Sequence, residues 1–364
     1  MKLTSCQFVT AKMMTKNDKK ANMPDPSQRY GGNAFTNVDF DRRGRQLGFV
    51  SFPHSPHSDA WGVTQIPIAV IANGEGPTVV IEGGNHGDEY EGPIAIGELA
   101  RDLDPGRLQG RLILMPANNV HAVLAARRTS PVDDINFNRT WPGNATGTIT
   151  EQIAAYVSQR IFPMADAFLD LHSGGSSLDI LPSAIIEPTD DPGLHRRNVD
   201  AVKAFGAPYN VVISNMGDKR TATATACAAG LVTVGTEMRG GGAVSLDALD
   251  ICRRGVARVL AHLGLLEGEV PPPPQDERPV LELAGPAAYV YATGDGVFEP
   301  FHANGATVSA GQPAGRIHRI WDLTAPPVTL HYGIDGIVYG RRHPGRVQQG
   351  NCCVVVASRY GGLA

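Results

Sequence analysis

The sequence predicts an α/β fold built on a largely parallel, buried sheet, followed by a smaller all-β domain. Between residues 46 and 268, short runs rich in β-branched residues alternate with longer helical patterns, which is the order of elements in α/β domains. After residue 280, the chain changes to short apolar runs punctuated by glycines, which is typical of β structure. Four consecutive prolines at 271–274 separate the two patterns, because they cannot continue a helix and favour an extended spacer.

These patterns divide the chain into four parts. Residues 1–45 are polar and rich in Lys, Asn and Asp, and we expect an N-terminal tail that is partly flexible. We expect residues 46–268 to form the α/β domain, 269–279 the proline-rich linker and 280–364 the β-rich C-terminal domain.

Each predicted strand of the α/β domain is a short apolar run, and each predicted helix is a longer segment with apolar residues every three or four positions. The last helix has the clearest apolar stripe, which includes Leu249, Cys252 and Val256. The predicted strands are "IPIAVIA" (66–72), "TVVIE" (78–82), "RLILMPA" (111–117), "AFLDLH" (167–172), "YNVVIS" (209–214) and "LVTVGTE" (231–237). The predicted helices cover 92–103, 150–162, 193–206 and 246–266.

Two segments of the C-terminal domain form an approximate internal repeat. "GVFEPFHANGATVSAG" (296–311) and "GIVYGRRHPGRVQQG" (336–350) each run from a glycine through an apolar pair and a polar stretch to a second glycine. The pattern resembles the barrel-sandwich fold of biotinyl and lipoyl carriers, but residues 280–364 contain no lysine that could carry either group. We therefore expect a structural or capping role for this domain.

Composition excludes several classes of partner. The chain has 364 residues with a formal net charge of −4, and no basic stripe interleaved with aromatic residues occurs, so we expect no nucleic-acid partner. No window approaches 18 uninterrupted apolar residues, so we expect no membrane partner. The five cysteines are odd in number and form no CxxC pair, which favours a reduced, cytoplasmic setting. The sequence leaves a homo-oligomer open.

Polar groups that bind metals, protons or anions follow several of the predicted strands. His86 and Glu89 come after "TVVIE", "AFLDLH" ends on His172, and "LVTVGTE" ends on Glu237. Ligands bind beyond the carboxyl ends of strands in open α/β sheets, and two imidazoles with one carboxylate suit Zn²⁺ in preference to Mn²⁺ or Co²⁺. Taken alone, His172 could be a hydrogen-bonded strand-end histidine and Glu237 an ion-pair partner of Arg239. Their joint occurrence at strand ends favours a metal site.

Four motifs in this order resemble the succinylglutamate desuccinylase and aspartoacylase family, which is related to the zinc carboxypeptidases. The motifs are "GGNHGDEYEG", "NFNRTWPG", "DLHSGG" and "VGTEMRGG", and the resemblance spans about residues 46–364. The context "RRTSPVDDINFNRTWPG" is most similar to the N-acetyl-diaminobutyrate deacetylase branch, which serves ectoine breakdown. The resemblance implies a zinc carboxypeptidase-like mixed sheet, mostly parallel and flanked by helices, with a barrel-sandwich-like C-terminal domain.

The resemblance also implies a role for each candidate site residue. His86, Glu89 and His172 would ligate one Zn²⁺ per chain, and Glu237 would be the general base that takes a proton from the attacking water. Asn138 and Arg139 match the pair that grips the substrate carboxylate. The family has an upstream arginine that polarises the scissile carbonyl, and here it could be Arg127 or Arg128, of which we favour Arg128. Asp170 could orient a metal-binding imidazole or close a strand-end hydrogen bond.

The expected activity is zinc-dependent hydrolysis of the amide bond of an N-acyl amino acid. On resemblance, the substrate is N-α-acetyl-L-2,4-diaminobutyrate, a small molecule of ectoine catabolism whose cationic side chain needs an acidic or carbonyl-lined pocket. A deacylase of N-acetylaspartate or N-succinylglutamate, a metallocarboxypeptidase, and a non-catalytic metal or small-molecule binding module are the alternatives. The segment 218–230, with Lys219 and Arg220, is a further candidate for lining the pocket. The acidic residues closest in sequence to the site motifs are Asp88, Glu91, Asp133 and Asp134.

Overall fold

A computed structural model describes residues 30–274 and 279–362. The prediction of a flexible tail therefore lies outside the described residues for 1–29, and the linker prediction does so for 275–278. Part of the predicted tail belongs to the fold, since Val38 is buried and Tyr30 and Phe40 pack against a hydrophobic cluster. The division of the chain at 269–279 stays a prediction.

Strands and helices alternate through the first two thirds of the described residues, and short strands follow. The strands are β1 (Phe35–Thr36), β2 (Gly44–Pro53), β3 (Val63–Asn73), β4 (Thr78–Gly83), β5 (Gly110–Met115), β6 (Ala167–His172), β7 (Leu178–Ile186), β8 (Tyr209–Val212), β9 (Val232–Gly240), β10 (Val280–Glu282), β11 (Tyr289–Tyr291), β12 (Gly296–Pro300), β13 (Thr307–Val308), β14 (Pro313–His318), β15 (Val328–His331), β16 (Gly336–Arg342), β17 (Arg346–Val347) and β18 (Cys352–Arg359). The α-helices are α1 (Glu91–Asp102), α2 (Val120–Ala125), α3 (Ile149–Tyr156), α4 (Pro192–Phe205), α5 (Ala222–Ala228) and α6 (Leu246–His262).

The six predicted strands and four predicted helices are confirmed, with shifted ends. The helix predicted over 150–162 ends as an α-helix at Tyr156, where a π-helical turn over Val157–Ile161 begins. Strands β2 and β7 and helices α2 and α5 were not predicted. In β7, Pro182 and Ser183 interrupt the apolar run, and proline inside such a run argues against a strand. Pairing with β8, β9 and β16 overrides that local signal.

The main sheet is mixed and is covered by helices on both faces. Strands β5, β4, β6 and β9 pair in parallel at its centre, in that order. β3 joins β5 in antiparallel orientation, and so does β7 with β9. One face packs with α1, α4 and α6, and the other with α3 and α5. The expected mixed sheet with flanking helices is therefore present, with its parallel part limited to the centre and to the β7–β8 and β8–β10 pairs.

Strands from before and after the proline-rich segment close a five-stranded ring. β7 pairs with β8, β8 with β10, β10 with β18, β18 with β16, and β16 again with β7. Tyr339 of β16 is fully buried there, and its hydroxyl lies 2.6 Å from that of Ser183 on β7. The C-terminal strands β10, β18 and β16 thus continue the main sheet through hydrogen-bonded pairing.

The internal repeat corresponds to a reciprocal pairing of strands. Each repeat unit supplies one long and one short strand, β12 with β13 and β16 with β17. β12 pairs with β17 of the other unit, and β13 pairs with β16. Within the described ranges, no helix is both long enough and apolar enough to cross a membrane.

Candidate metal centre and its cavity

Several strand ends meet at one cavity. His86 and Glu89 lie between β4 and α1, and His172 is the last residue of β6. β6 and β9 pair in parallel, and their register sets His172 opposite Glu237. All four side chains line a cavity of about 330 Å³, which is a size that accommodates a small molecule.

The turn that carries His86 is rich in glycine because it packs directly on backbone. A Cβ atom at Gly87 would lie 1.9 Å from the carbonyl oxygen of Ala122. The Gly87 N–H donates to the carbonyl oxygen of Arg127 at 2.8 Å. The turn is thereby fixed against the segment that leads into Arg128.

His86, Glu89 and His172 form a compact donor set. Potential ligand atoms of the three side chains all lie within 4.8 Å of one another. The Glu89 carboxylate bridges the imidazoles, with Oε1 at 2.7 Å from Nδ1 of His86 and Oε2 at 2.7 Å from Nδ1 of His172. All three side chains are at least nine-tenths buried. Two imidazole nitrogens and one carboxylate are the ligand types of many catalytic zinc sites.

The hydrogen bonds of His86 show that this donor set fits a cation. Oδ1 of Asn136 accepts from the backbone N–H of Asn138, which identifies it as the amide oxygen, and it lies 3.1 Å from Nε2 of His86. Nε2 therefore carries a proton, and burial lowers the pKa of His86, which favours the neutral imidazole; in that form the lone pair of Nδ1 would face the Glu89 carboxylate. Lone pairs on Nδ1 of His86 and Oε1 of Glu89, whose atoms lie 2.7 Å apart, would repel each other unless a positive charge lies between them. A divalent metal ion would supply that charge.

His172 is held by neighbours on its own strand and on β9. The Thr236 hydroxyl accepts from the His172 backbone N–H at 3.0 Å and donates to its carbonyl oxygen at 3.1 Å. Oδ2 of Asp170 lies 3.0 Å from Nε2 of His172, on the side of the ring away from Glu89. Nδ2 of Asn138 approaches the same nitrogen at 3.2 Å.

The carboxyl groups around the cluster have perturbed pKa values. Burial raises the pKa of Glu89, but the imidazoles of His86 and His172 more than reverse this and hold it below its ordinary value. Burial, and then the charge of Glu89, raise the pKa of Glu237 to about 8. Oε2 of Glu237 is buried and has no hydrogen-bond partner among the described residues.

The structure separates the two arginines that the sequence left as alternatives. Arg128 lines the cavity, and its Nη1 lies 3.7 Å from Oε1 of Glu89 and 3.4 Å from Nδ1 of His86. Arg127 instead pairs with Asp134 at 3.2 Å, on the solvent side. Only Arg128 of the two brings a positive charge to the donor set.

Asn138 and Arg139 both line the cavity, but they differ in how many of their polar atoms already bond to other protein groups. The amide oxygen of Asn138 accepts from the backbone N–H of Ala222 at 2.9 Å, at the start of α5. Arg139 donates to the carbonyl oxygen of Asn138 at 2.6 Å, and its Nε lies 3.5 Å from Oδ2 of Asp218. The guanidinium of Arg139 therefore has the freer hydrogen-bonding capacity.

The four residues predicted to form an acidic pocket were the wrong ones. The Asp88 carboxylate accepts from the backbone N–H and the hydroxyl of Ser176, at 2.7 Å each, and Glu91 accepts from the backbone N–H of Ser245 at 2.8 Å. The other two bond to a threonine and an arginine. These carboxylates close turns or loops, and the cavity lining includes none of the four: Asp88, Glu91, Asp133 and Asp134.

Sequence reasoning missed Glu187, which does line the cavity. It follows directly on Ile186, the last residue of β7. The rule that ligands bind beyond strand ends would have selected it, but β7 itself was not predicted. Of the segment 218–230, Thr223 lines the cavity and Lys219 contacts Glu187.

Fold and site together define an α/β protein with a buried His–Glu–His cluster suited to a divalent metal ion. Residues 75–263 match the sequence profile described as succinylglutamate desuccinylase/aspartoacylase catalytic domain. The N-α-acetyl-L-2,4-diaminobutyric acid deacetylase of Halomonas elongata is 39% identical over 333 residues, which cover 91% of this chain and 97% of that protein. The chain therefore belongs to the succinylglutamate desuccinylase/aspartoacylase family.

Solved structures agree with this assignment. A succinylglutamate desuccinylase/aspartoacylase from Rhodobacter sphaeroides is 41% identical, with a TM-score of 0.85 over 90% of this chain and 99% of that one. The product-bound ectoine utilization protein EutE (DoeB) from Ruegeria pomeroyi is 39% identical, with a TM-score of 0.84 over 89% of this chain and 98% of that one. The fold and the chain length are thus shared along nearly the whole protein.

Proposed function

We propose that this protein is a zinc-dependent amidohydrolase that removes the acetyl group from N-α-acetyl-L-2,4-diaminobutyrate. The observation that carries the proposal is the cavity, in which Glu237 and Arg128 stand beside the His86–Glu89–His172 cluster. The substrate follows from the name of the Halomonas elongata relative. A cytoplasmic role in ectoine degradation is consistent with the likeness to the ectoine utilization protein.

The donor set fits zinc in ligand type and number. When bound by His86, Glu89 and His172, Zn²⁺ supplies Lewis acidity, which polarises an acyl carbonyl and makes water easier to deprotonate. Asn136 would hold His86 through Nε2, and the Asp170 carboxylate, 3.0 Å from Nε2 of His172, would favour a proton on that nitrogen, so that both Nδ1 atoms stay directed at the ion.

The remaining side chains supply the steps that an amide hydrolysis needs. Glu237 would accept a proton from the attacking water and return it to the leaving α-amine. Oε2 of Glu237 is buried and has no hydrogen-bond partner among the described residues, so it would be available to carry that proton. Arg128 would stabilise the negative charge that develops on the carbonyl oxygen. Arg139, with Asn138, would bind the α-carboxylate, for which a planar guanidinium is suited.

The alternatives differ in what they demand of the cavity. A binding module has no use for Glu237 or for a cation at the position of Arg128. A metallocarboxypeptidase needs room for a peptide, whereas this cavity measures about 330 Å³ and suits a short substrate. N-acetylaspartate and N-succinylglutamate bring an additional negative charge to a cavity that already holds Glu237 and Glu187.

The test is a substrate panel on the purified zinc form, with its metal content measured. We expect one zinc ion per chain and hydrolysis of N-α-acetyl-L-2,4-diaminobutyrate well above that of N-acetylaspartate, N-succinylglutamate or a dipeptide. Protein that holds stoichiometric zinc but is inert on all four substrates would support the binding module. A preference for one of the other three would replace the proposed substrate.

A further inference from the structure

Glu187 is a buried carboxylate in the cavity that the proposed chemistry does not use. Its side chain is 6% exposed, and it lies at the end of β7. Its Oε2 accepts a hydrogen bond from the Thr223 hydroxyl at 3.0 Å. Its Oε1 lies 3.9 Å from Nζ of Lys219, beyond hydrogen-bonding distance. A buried carboxylate is costly unless a cation or donors satisfy it, so this second oxygen leaves room for a positively charged ligand.

One short loop contacts both Glu187 and the arginine proposed to bind the substrate carboxylate. Asp218 and Lys219 are consecutive in the chain. Asp218 lies 3.5 Å from Arg139, and Lys219 lies 3.9 Å from Glu187. Arg139 and Glu187 therefore stand close enough for adjacent residues to reach both. We call Arg139 and Glu187 the recognition end of the cavity.

Asp218 and Lys219 bring one carboxylate and one ammonium group to the recognition end, and the proposed substrate carries the same two groups. Asp218 offers a carboxylate to Arg139, and Lys219 offers an ammonium to Glu187. Both contacts are long, and the Lys219 side chain is 65% exposed. One partner of each pair is at least a third exposed, and ion pairs with such long, solvent-accessible contacts contribute little. A ligand with its own carboxylate and ammonium could replace both at low cost.

We propose that Glu187 determines specificity by binding the side-chain ammonium of a cationic N-acyl amino acid, while Arg139 binds its α-carboxylate. The inference rests on the proposed function and adds to it the residue that selects the side chain. Asp218 and Lys219 hold the two recognition charges until the substrate replaces them. Thr223 positions Glu187 through its hydroxyl.

The acid–base state of Glu187 agrees with this role. Burial raises the pKa of Glu187 to about 7, against the lowering effect of the Thr223 hydrogen bond and of Lys219; Asp170 adds to the rise. The carboxyl group therefore ionises readily when a cation arrives. An anionic side chain would meet this carboxylate without compensation, which disfavours N-acetylaspartate and N-succinylglutamate.

The test compares two substrates of the same shape on the zinc-loaded full chain. N-α-acetyl-L-2,4-diaminobutyrate carries an ammonium where N-acetyl-L-norvaline carries a methyl group. We expect Glu187→Gln to lower kcat/KM roughly ten- to hundredfold for the cationic substrate, as for a lost hydrogen bond to a charged group. For the norvaline derivative, kcat/KM should stay constant or rise. Glu98→Gln, which removes a surface carboxylate paired with Arg253, is the charge-matched control and should leave the ratio unchanged.

Binding of the product provides a readout independent of turnover. Calorimetry should show that Glu187→Gln weakens binding of 2,4-diaminobutyrate but not of norvaline. Lys219→Met removes only the competing cation, and we expect the cationic preference to persist or to increase about twofold. If Lys219→Met instead reduces the preference for the cationic substrate as much as Glu187→Gln does, the Glu187–Lys219 pair has a structural role and the proposal is overturned.

The outcomes separate this proposal from the proposed function. If the wild-type protein hydrolyses the cationic substrate and Glu187→Gln leaves the ratio of the two kcat/KM values unchanged, Glu187 does not select the side chain but the deacetylase function stands. If the wild-type protein hydrolyses neither substrate while product binding still depends on Glu187, the proposed function fails and the cation site stands. If binding of the cationic product also ignores Glu187, the inference fails.

Discussion

The two ends of the cavity hold their charged groups in different ways. We call His86, Glu89 and His172 the metal end, which lies in the same cavity as the recognition end. At the metal end, contacts of 2.7 Å join Glu89 to two buried imidazoles. At the recognition end, the partners of Arg139 and Glu187 lie at 3.5 and 3.9 Å. Short buried contacts fix the geometry that the chemistry needs, whereas the long contacts would be exchanged for substrate charges. The groups proposed for the reaction are therefore preorganised, whereas the groups proposed to select the substrate can change partners.

The two ends also differ in what supports them. The metal end is placed by the turn after β4 and by the parallel pairing of β6 with β9. The recognition end depends on β7 and on the loop that precedes α5. β7 is in turn held by the C-terminal strand β16. Changes to the metal end should therefore affect turnover and metal binding, and changes to the recognition end should affect substrate choice.

Glu237→Gln should have the largest effect and would test the first half of this comparison. The amide keeps the shape of the side chain but cannot accept the proton, so we expect kcat to fall roughly 10²- to 10⁴-fold. Zinc content and product binding should be unchanged, which metal analysis and calorimetry would measure. Retention of full activity would remove Glu237 as the base.

Asn136→Ala should lower the affinity of the metal end for its ion without affecting substrate choice. Asn136 accepts from Nε2 of His86 at 3.1 Å, and loss of such a support typically lowers metal affinity about 10- to 100-fold. Competition with a chelator would measure the affinity. Asn136→Asp should restore it because the carboxylate is also an acceptor, and Asn144→Ala on the exposed side of the same connection is the control. An unchanged affinity in Asn136→Ala would show that His86 needs no such support.

The two ends were also unequally predictable from the sequence. Short motifs at the ends of well-patterned strands located His86, Glu89, His172 and Glu237 in one region, and the structure brings them together. Glu187 was not located, because Pro182 breaks the pattern of β7 and only pairing with strands far away in the chain makes it a strand. Local signals identify elements with strong periodicity, whereas tertiary contacts decide those without it.

The pH dependence of ligand choice should reveal the recognition end directly. With a pKa of about 7, Glu187 is mostly neutral at pH 6 and mostly charged at pH 8. The affinity of the zinc form for 2,4-diaminobutyrate relative to norvaline should therefore rise roughly tenfold between these values. The γ-ammonium lowers the pKa of the α-amine of 2,4-diaminobutyrate relative to that of norvaline, so the ratio is corrected for the separately measured titration of each ligand. Lys219 and Asp170, the charged neighbours of Glu187, are present for both ligands. The ratio should be independent of pH in Glu187→Gln, and a pH-independent ratio in the wild-type protein would contradict the assignment.

Tyr339→Phe should have the smallest effect and would test whether the C-terminal strands act on the cavity only through folding. The change removes a hydroxyl 2.6 Å from that of Ser183 on β7, inside the closed ring of strands. Loss of one buried hydrogen bond should lower the free energy of unfolding by about 1 kcal/mol, measured by denaturant titration. Tyr291→Phe, at a more exposed position, is the control and should change stability little.

We expect kcat, and the ratio of kcat/KM for the cationic substrate to that for the neutral substrate, to stay constant in Tyr339→Phe, because β7 keeps its backbone pairing. A large change in that ratio with unchanged stability would show that the C-terminal strands shape the recognition end directly.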